Sequence, residues 1–162
     1  MSKFYLDFEF IEDGVTIKPI SIGIVCEDGR EYYKGFLETD LGKANDWVRE
    51  NVVYQLPALS DNFWSLGFLI KEEILSFIGN DSPEFWADHA SYDLVAFCQI
   101  FGTMMDLPHG FPMYINDIMQ LANMCKCVNS LPKQKTIQHI AINDAHHVKK
   151  MHDWILKEYR SF

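Results

Sequence analysis

The chain opens with large apolar residues in short dense runs separated by polar breaks, a spacing that predicts strands before it predicts helices. Residues 3–10 (KFYLDFEF), 19–26 (PISIGIVC) and 31–37 (EYYKGFL) each read as a strand. EDGR at 27–30 separates the last two, and its central Asp-Gly predicts a tight hairpin. Three strands joined by short turns imply an antiparallel start. The period then lengthens. Segments 43–53 and 67–79 carry apolar residues at helical spacing, with Phe68, Ile74, Leu75 and Ile78 on one expected stripe. EFWAD (84–88) reads as a short strand, followed by a helix over 91–101. Pro108 and Pro112 mark a loop, and MYINDIMQLANM (113–124) reads as a short strand entering a helix. A last helix is expected over 143–160, with Ala145, Val148, Met151, Ile155 and Tyr159 at spacings of three and four.

An antiparallel start followed by alternating helix and strand predicts an α/β fold. The expected form is a ribonuclease H-like mixed sheet, three antiparallel strands then two parallel, with helices on both faces. The pattern alone is shared with other α/β folds. No internal repeat, low-complexity segment or linker interrupts it, so residues 1–162 are expected to form one domain.

Composition narrows the function classes. Hydrophobic residues make up 48% and aromatics 14% of the 162, which excludes a disordered or fibrous chain. Charges break every apolar run well before 18 residues, so no membrane helix is expected. The start shows no signal-peptide pattern, and the expectation is a cytoplasmic protein whose chain begins at residue 1. Cys26, Cys98, Cys125 and Cys127 are too irregularly spaced for a disulfide framework and read as buried thiols. A net charge of −9 argues against a long basic track for duplex nucleic acid. It leaves metal-dependent chemistry open, because such a site needs clustered carboxylates.

The acids then become the informative residues. Asp7 and Glu9 lie two apart on the first strand and therefore share a face. Flanked by Tyr5, Leu6, Phe8 and Phe10, they would be costly to bury uncompensated. Two metal ligands is the functional reading; an exposed edge-strand pair is the structural one. Asp93 opens an otherwise apolar helix, where a carboxylate also meets the helix dipole favourably. His139 and Asp144 lie five apart. On one regular helix they would point about 140° away from each other. They can face one site only if His139 precedes the helix, for which Asn143 is a candidate cap. Asp144 falls on the stripe with Ala141 and Val148 that should be buried, and an acid there needs a partner. His146, His147 and His152 lack the four-residue spacing of a zinc site and read as surface or hydrogen-bonded residues.

Together these residues resemble the DEDDh family of 3′→5′ exonucleases. LDFEF (Asp7, Glu9), ASYDLVAF (Asp93) and HIAINDA (His139, Asp144) stand in the family's order and gaps. The chain is similar through nearly its whole length, and most strongly over residues 4–33 and 86–102, to the subgroup typified by a mycobacterial polyadenylate-specific exoribonuclease. The chain departs from the family pattern at His89, where many members carry Asn, and at Ile140, which follows the histidine.

The resemblance implies a metal-dependent 3′→5′ exoribonuclease acting on single-stranded RNA, with an adenosine-rich 3′ end as a candidate substrate. It implies two Mg²⁺ ions, replaceable by Mn²⁺, about 3.5–4 Å apart. Asp7 would bridge both ions, Glu9 and Asp144 would complete one ion's site, and Asp93 would hold the other. His139 would be the general base. Phe10, Phe8, Tyr92 and His89 are the expected substrate contacts, with Phe10 favoured for stacking on the terminal base. Single-stranded DNA is the alternative substrate, and a non-catalytic nucleic-acid-binding domain is the alternative class. By analogy with close relatives a homodimer is expected, with no membrane partner.

Overall fold

The computed structural model describes residues 1–80 and 82–159. Its centre is β1 (Ser2–Glu12), which pairs antiparallel with β2 (Ile17–Cys26), itself antiparallel to β3 (Glu31–Phe36). On its other side β1 pairs parallel with β5 (Pro83–Ala87), which pairs parallel with β6 (Asn116–Asp117). The sheet holds six strands in the order β4-β3-β2-β1-β5-β6, one more than the expected five. The addition is β4 (Trp64–Ser65), parallel to β3 at the edge. Two residues leave no period to read, so this strand carries no sequence signal.

Alternation along β1 divides the molecule. Phe4, Leu6 and Phe8 are buried on one face with Ile22, Ile24 and Cys26 of β2. Helices α2 (Gly67–Ile78) and α3 (Ser91–Phe101) cover that face with Ile70, Ile74, Ile78, Ala96 and Phe97. Tyr5 starts the opposite face, where it packs with α4 (Ile118–Met124) and α5 (Ala141–Glu158) through Ile118, Ala122, Val148, Met151 and Ile155. Helices therefore lie on both faces, as expected. A third cluster, Ile11 and Ile20 with Ala44, Val48 and Val52, seats α1 (Asp46–Asn51) against the far end of β1.

Several sequence expectations need correction. The stripe of α2 runs Ile70–Ile74–Ile78, and Phe68 is 63% exposed. Phe68 lies two residues before Ile70, about 200° round the helix, and so faces away from the stripe that a four-residue period gives the three isoleucines. The segment 43–53 is a short helix between two 3₁₀ turns, Leu41–Lys43 and Val53–Gln55, rather than one continuous helix. The last helix begins at Ala141, and Ile140 occupies its N-cap position without a side-chain cap. Asn143 is therefore inside the first turn, where its Nδ2 donates to the Ile137 carbonyl at 3.0 Å. Residue 160, the expected end of that helix, lies outside the described residues.

Candidate active site

Parallel pairing of β1 with β5 covers only Ser2–Tyr5 against Pro83–Trp86. Beyond Tyr5 the two strands separate, leaving a crevice outside the carboxyl end of β5. Open α/β sheets characteristically place their ligands in such a crevice. The separation also removes a sheet partner from the Phe8 N–H, and a buried amide needs another. Asp93, in the first turn of α3, provides it: its Oδ1 accepts from the Phe8 N–H at 2.9 Å. The bond ties α3 to the strand segment that carries Asp7 and Glu9.

Asp7 pairs with Gly23 across β1 and β2. Gly23 is required there by packing. A Cβ on it would lie 2.5 Å from the carbonyl carbon and oxygen of Ala141, the first residue of α5. The helix start thus rests on bare backbone directly beside Asp7, which brings Asp144 over the same face of the sheet.

His139 precedes α5, as its partnership with Asp144 requires, and adopts a left-handed backbone (φ 61°). That turn aims its N–H back at Asp144, whose Oδ2 accepts it at 2.8 Å. The Asp144 Oδ1 accepts from Gln134 Nε2. The His139 ring meets the edge of Trp47 at 4.9 Å between centroids. One ligand atom each from Glu9, His139 and Asp144 lies within 4.8 Å of the others.

Asp7, Glu9, Gln134, His139 and Asp144 line a cleft of about 480 Å³, whereas Asp93 is buried beside it on the Phe8 N–H. Asp7, Glu9, Glu12, Asp88 and Asp144 contribute its acids, and no lysine or arginine is among the described residues that line it. The electrostatic result follows. Burial, joined by the charges of Asp93, Glu9, Asp144 and Asp88, holds Asp7 well above the usual carboxylate range. Burial, then Asp144 and Asp93, pushes Glu9 up to about 8. Burial raises Asp93 to about 7 against the opposing pull of the Phe8 N–H. Like charges this close retain protons until a cation displaces them.

The donor set fits a divalent cation. Carboxylate oxygens dominate, they converge, and no lysine or arginine stands among the described residues that line the cleft. Such hard oxygen donors suit Mg²⁺ or Mn²⁺.

The expected substrate contacts separate into two places. Phe10 lines the cleft and stacks on Tyr92 with centroids 5.4 Å apart and ring planes 19° apart. Tyr92 and His89 line a neighbouring groove with Asp117, Gln120 and Asn123. His89 is largely exposed and contacts Asp88 through Nδ1 at 2.8 Å. The Phe8 ring faces the core, stacked on Phe36, so Phe8 serves the site through its N–H rather than its ring. Strand alternation turns the Phe8 side chain away from Asp7 and Glu9, and Phe10, of the same parity, comes to line the cleft beyond the register shift between Glu9 and Phe10.

Sequence reasoning passed over Gln134, Trp47 and Asp88, which line the cleft, and read as surface or hydrogen-bonded His147, which lines it too. Asp88 is the nearest to legible, being an acid at the end of a buried strand. Gln134 and Trp47 lie in segments without periodic pattern. Of the other histidines, His146 bonds Glu31 at 2.9 Å and His152 bonds the Tyr5 hydroxyl at 2.9 Å.

The 3′-5′ exoribonuclease Rv2179c-like domain model matches residues 2–156. This chain belongs to that family. It is 41% identical over 146 residues to the 3′-5′ exoribonuclease Rv2179c of Mycobacterium tuberculosis, covering 88% of this chain and 86% of the relative. Among solved structures it resembles exonuclease I, with a TM-score of 0.69 at 11% identity over 96% of this chain and 41% of that one. It also resembles the 3′-exonuclease that recognises the histone mRNA stem-loop (TM-score 0.66, 12% identity, 98% of this chain and 64% of that one). The S. pombe Pop2p structure in its Mg²⁺- and Mn²⁺-bound form matches at 0.60 and 13% identity, over 98% and 84% of the two chains. At these identities the structures share the fold, the ribonuclease H-like mixed sheet. No helix of the described residues is long and apolar enough to cross a membrane.

Proposed function

We propose that this protein is a single-domain 3′-5′ exoribonuclease that hydrolyses single-stranded RNA from its 3′ end in the cytoplasm. Asp7, Glu9, Asp93 and Asp144 would hold two Mg²⁺ ions, with Mn²⁺ able to replace them. Bound there, the ions would polarise the scissile phosphate and acidify an attacking water. The observation that carries this reading is the convergence of Glu9, His139 and Asp144 within 4.8 Å in a cleft whose described lining has no lysine or arginine.

His139 is assigned as the general base. The carboxylates already supply hard donors, and imidazole is the side chain suited to exchanging a proton near neutral pH. Its left-handed backbone and T-shaped contact with Trp47 support this assignment, since both limit how the ring can lie. Phe10 would stack on the terminal base, braced from behind by Tyr92. Family membership supports RNA over DNA, a choice that operates through contacts to the 2′-hydroxyl. A site that grips only the chain end also accommodates a net charge of −9.

The test uses a 5′-labelled single-stranded RNA with an adenosine-rich 3′ end and the same sequence as DNA. Each is incubated with protein and Mg²⁺, with and without EDTA. A ladder shortening from the 3′ end, faster on RNA and abolished by EDTA, is the expected result. Equal degradation of DNA would move the substrate class, and no degradation with either ion would overturn the enzymatic reading.

A further inference from the structure

Gln134 lies in the strap between α4 and α5, and none of the roles above uses it. We propose that Gln134 is a positioning residue that orients the Asp144 carboxylate for cation binding. The proposal rests on the metal-dependent reading of the site.

Each Asp144 oxygen receives one N–H, from Gln134 Nε2 on Oδ1 and from the His139 backbone on Oδ2. A carboxylate oxygen has two lone pairs. One donor on each oxygen therefore fixes the plane of the carboxylate and still leaves a free acceptor site on both. Those sites belong to the group that lies within 4.8 Å of Glu9 and His139. Without Gln134 the carboxylate would keep only the His139 N–H and its side-chain contact with Glu9, another acid, and could rotate.

The chemical type of residue 134 matters as much as its position. An amide donates without carrying charge, so it can hold a carboxylate without competing with a cation for it. A lysine would restore a donor but neutralise the acid and repel the ion. Here the lysines stand on either side: Lys133 and Lys135 are exposed, whereas Gln134 is half-buried on the cleft wall. The strap also has anchors independent of Gln134. Asn143 Nδ2 donates to the Ile137 carbonyl at 3.0 Å, and Gln55 Nε2 to that of Gln138 at 3.3 Å. Substitution at 134 should accordingly leave the strap in place.

The experiment compares wild type, Gln134→Met and Gln134→Lys. Mn²⁺ affinity is measured by electron paramagnetic resonance without substrate, alongside kcat, KM and the melting temperature of the metal-free protein. Met keeps the length without the donor, and Mn²⁺ binding should weaken about tenfold, the loss expected for a hydrogen bond to a charged group. kcat at limiting Mg²⁺ should fall with it, KM for a short RNA should hold, and melting should be unchanged. Lys should bind Mn²⁺ more weakly than Met. A mere strap anchor would instead be rescued by Lys. Unchanged Mn²⁺ affinity in Gln134→Met, or wild-type affinity in Gln134→Lys, overturns the inference while the metal-dependent reading stands. Absence of Mn²⁺ binding by the wild type overturns both.

Discussion

Two kinds of backbone meet in the cleft. Asp7, Glu9 and Asp93 stand on a central strand and the first turn of a helix, elements fixed by a core that includes Phe4, Leu6, Phe8, Ile70, Ile74 and Phe97. His139 and the approach to Asp144 belong to about ten residues of irregular chain, held by a few side-chain hydrogen bonds and one left-handed turn. On the proposed reading, regular structure supplies ligands whose positions cannot drift without disturbing the core, and the strap supplies the proton-accepting group, whose position is set by bonds that single substitutions can remove. A general base must be aimed at one proton, and the strap would do the aiming.

Removing a ligand from the rigid half should have the largest effect. Asp7→Ala is expected to lower turnover about a thousandfold or more, beyond the 10–100-fold typical of groups standing behind a metal ligand. The fold should survive, because the substitution also removes a carboxyl that is costly to ionise in place. Steady-state kinetics with a melting curve checks both. Normal turnover would remove Asp7 from the site.

On the strap, His139→Ala is expected to cut turnover about a hundredfold, within the range of a lost general base, while Mn²⁺ affinity stays within about threefold. If affinity fell as steeply as turnover, the imidazole would be a ligand and the division of labour between the two halves would be wrong.

The same division governs how much of the site could be read from the sequence. Asp7 and Glu9 were legible because strand parity places them on one face and their apolar neighbours make an acid conspicuous. Phe8 and Phe10 share a parity, and what separates them is the register shift after Glu9, which no residue type in the sequence announces. His139 and Asp144 were legible only as a condition, that the histidine must precede the helix, and the helix does begin at Ala141. Asn143 looked like a cap by residue type, yet its side chain bonds the Ile137 carbonyl, a loop contact that propensity does not encode. Trp47 meets His139 from a distant segment, and Gln134 reaches Asp144 from an irregular loop ten residues before it, so nothing in their own surroundings announces either. The fold followed the same rule. Long periodic elements were foreseeable, whereas the two-residue β4 and the 3₁₀ turns around α1 were not.

Gly23 joins the two halves, since α5 begins on its bare Cα. Gly23→Ala should destabilise the protein by about 1–3 kcal/mol, the usual consequence of forcing a methyl group into packed space. Urea denaturation measures it. Turnover should fall further than the fraction unfolded explains, because displacing the start of α5 carries Asp144 and His139 away from Glu9. Loss of stability with full activity per folded molecule would show that the strap, not the helix start, positions those two residues.

The effect smallest on turnover concerns protons on the rigid half and is read in stability. Glu9 sits at about 8 and Asp93 at about 7, with Asp7 raised as well, all chiefly by burial. In the unfolded chain these groups ionise near pH 4. Between those limits the metal-free folded state holds protons that the unfolded state has released. Their stabilisation is complete below about pH 4 and is lost as pH rises through 7 and 8. With EDTA present, the melting temperature should therefore fall by about 5–10 °C between pH 5.5 and 8.5, a shift of a few kcal/mol for a chain of this size. Adding Mg²⁺ at pH 8.5 should recover most of it, because the cation replaces the protons. Glu9→Gln should flatten the slope, since a neutral amide has no proton to lose. A melting temperature that instead rose with pH would mean that these carboxylates find a positive partner within the protein, and the cleft would then have no electrostatic need for a metal ion.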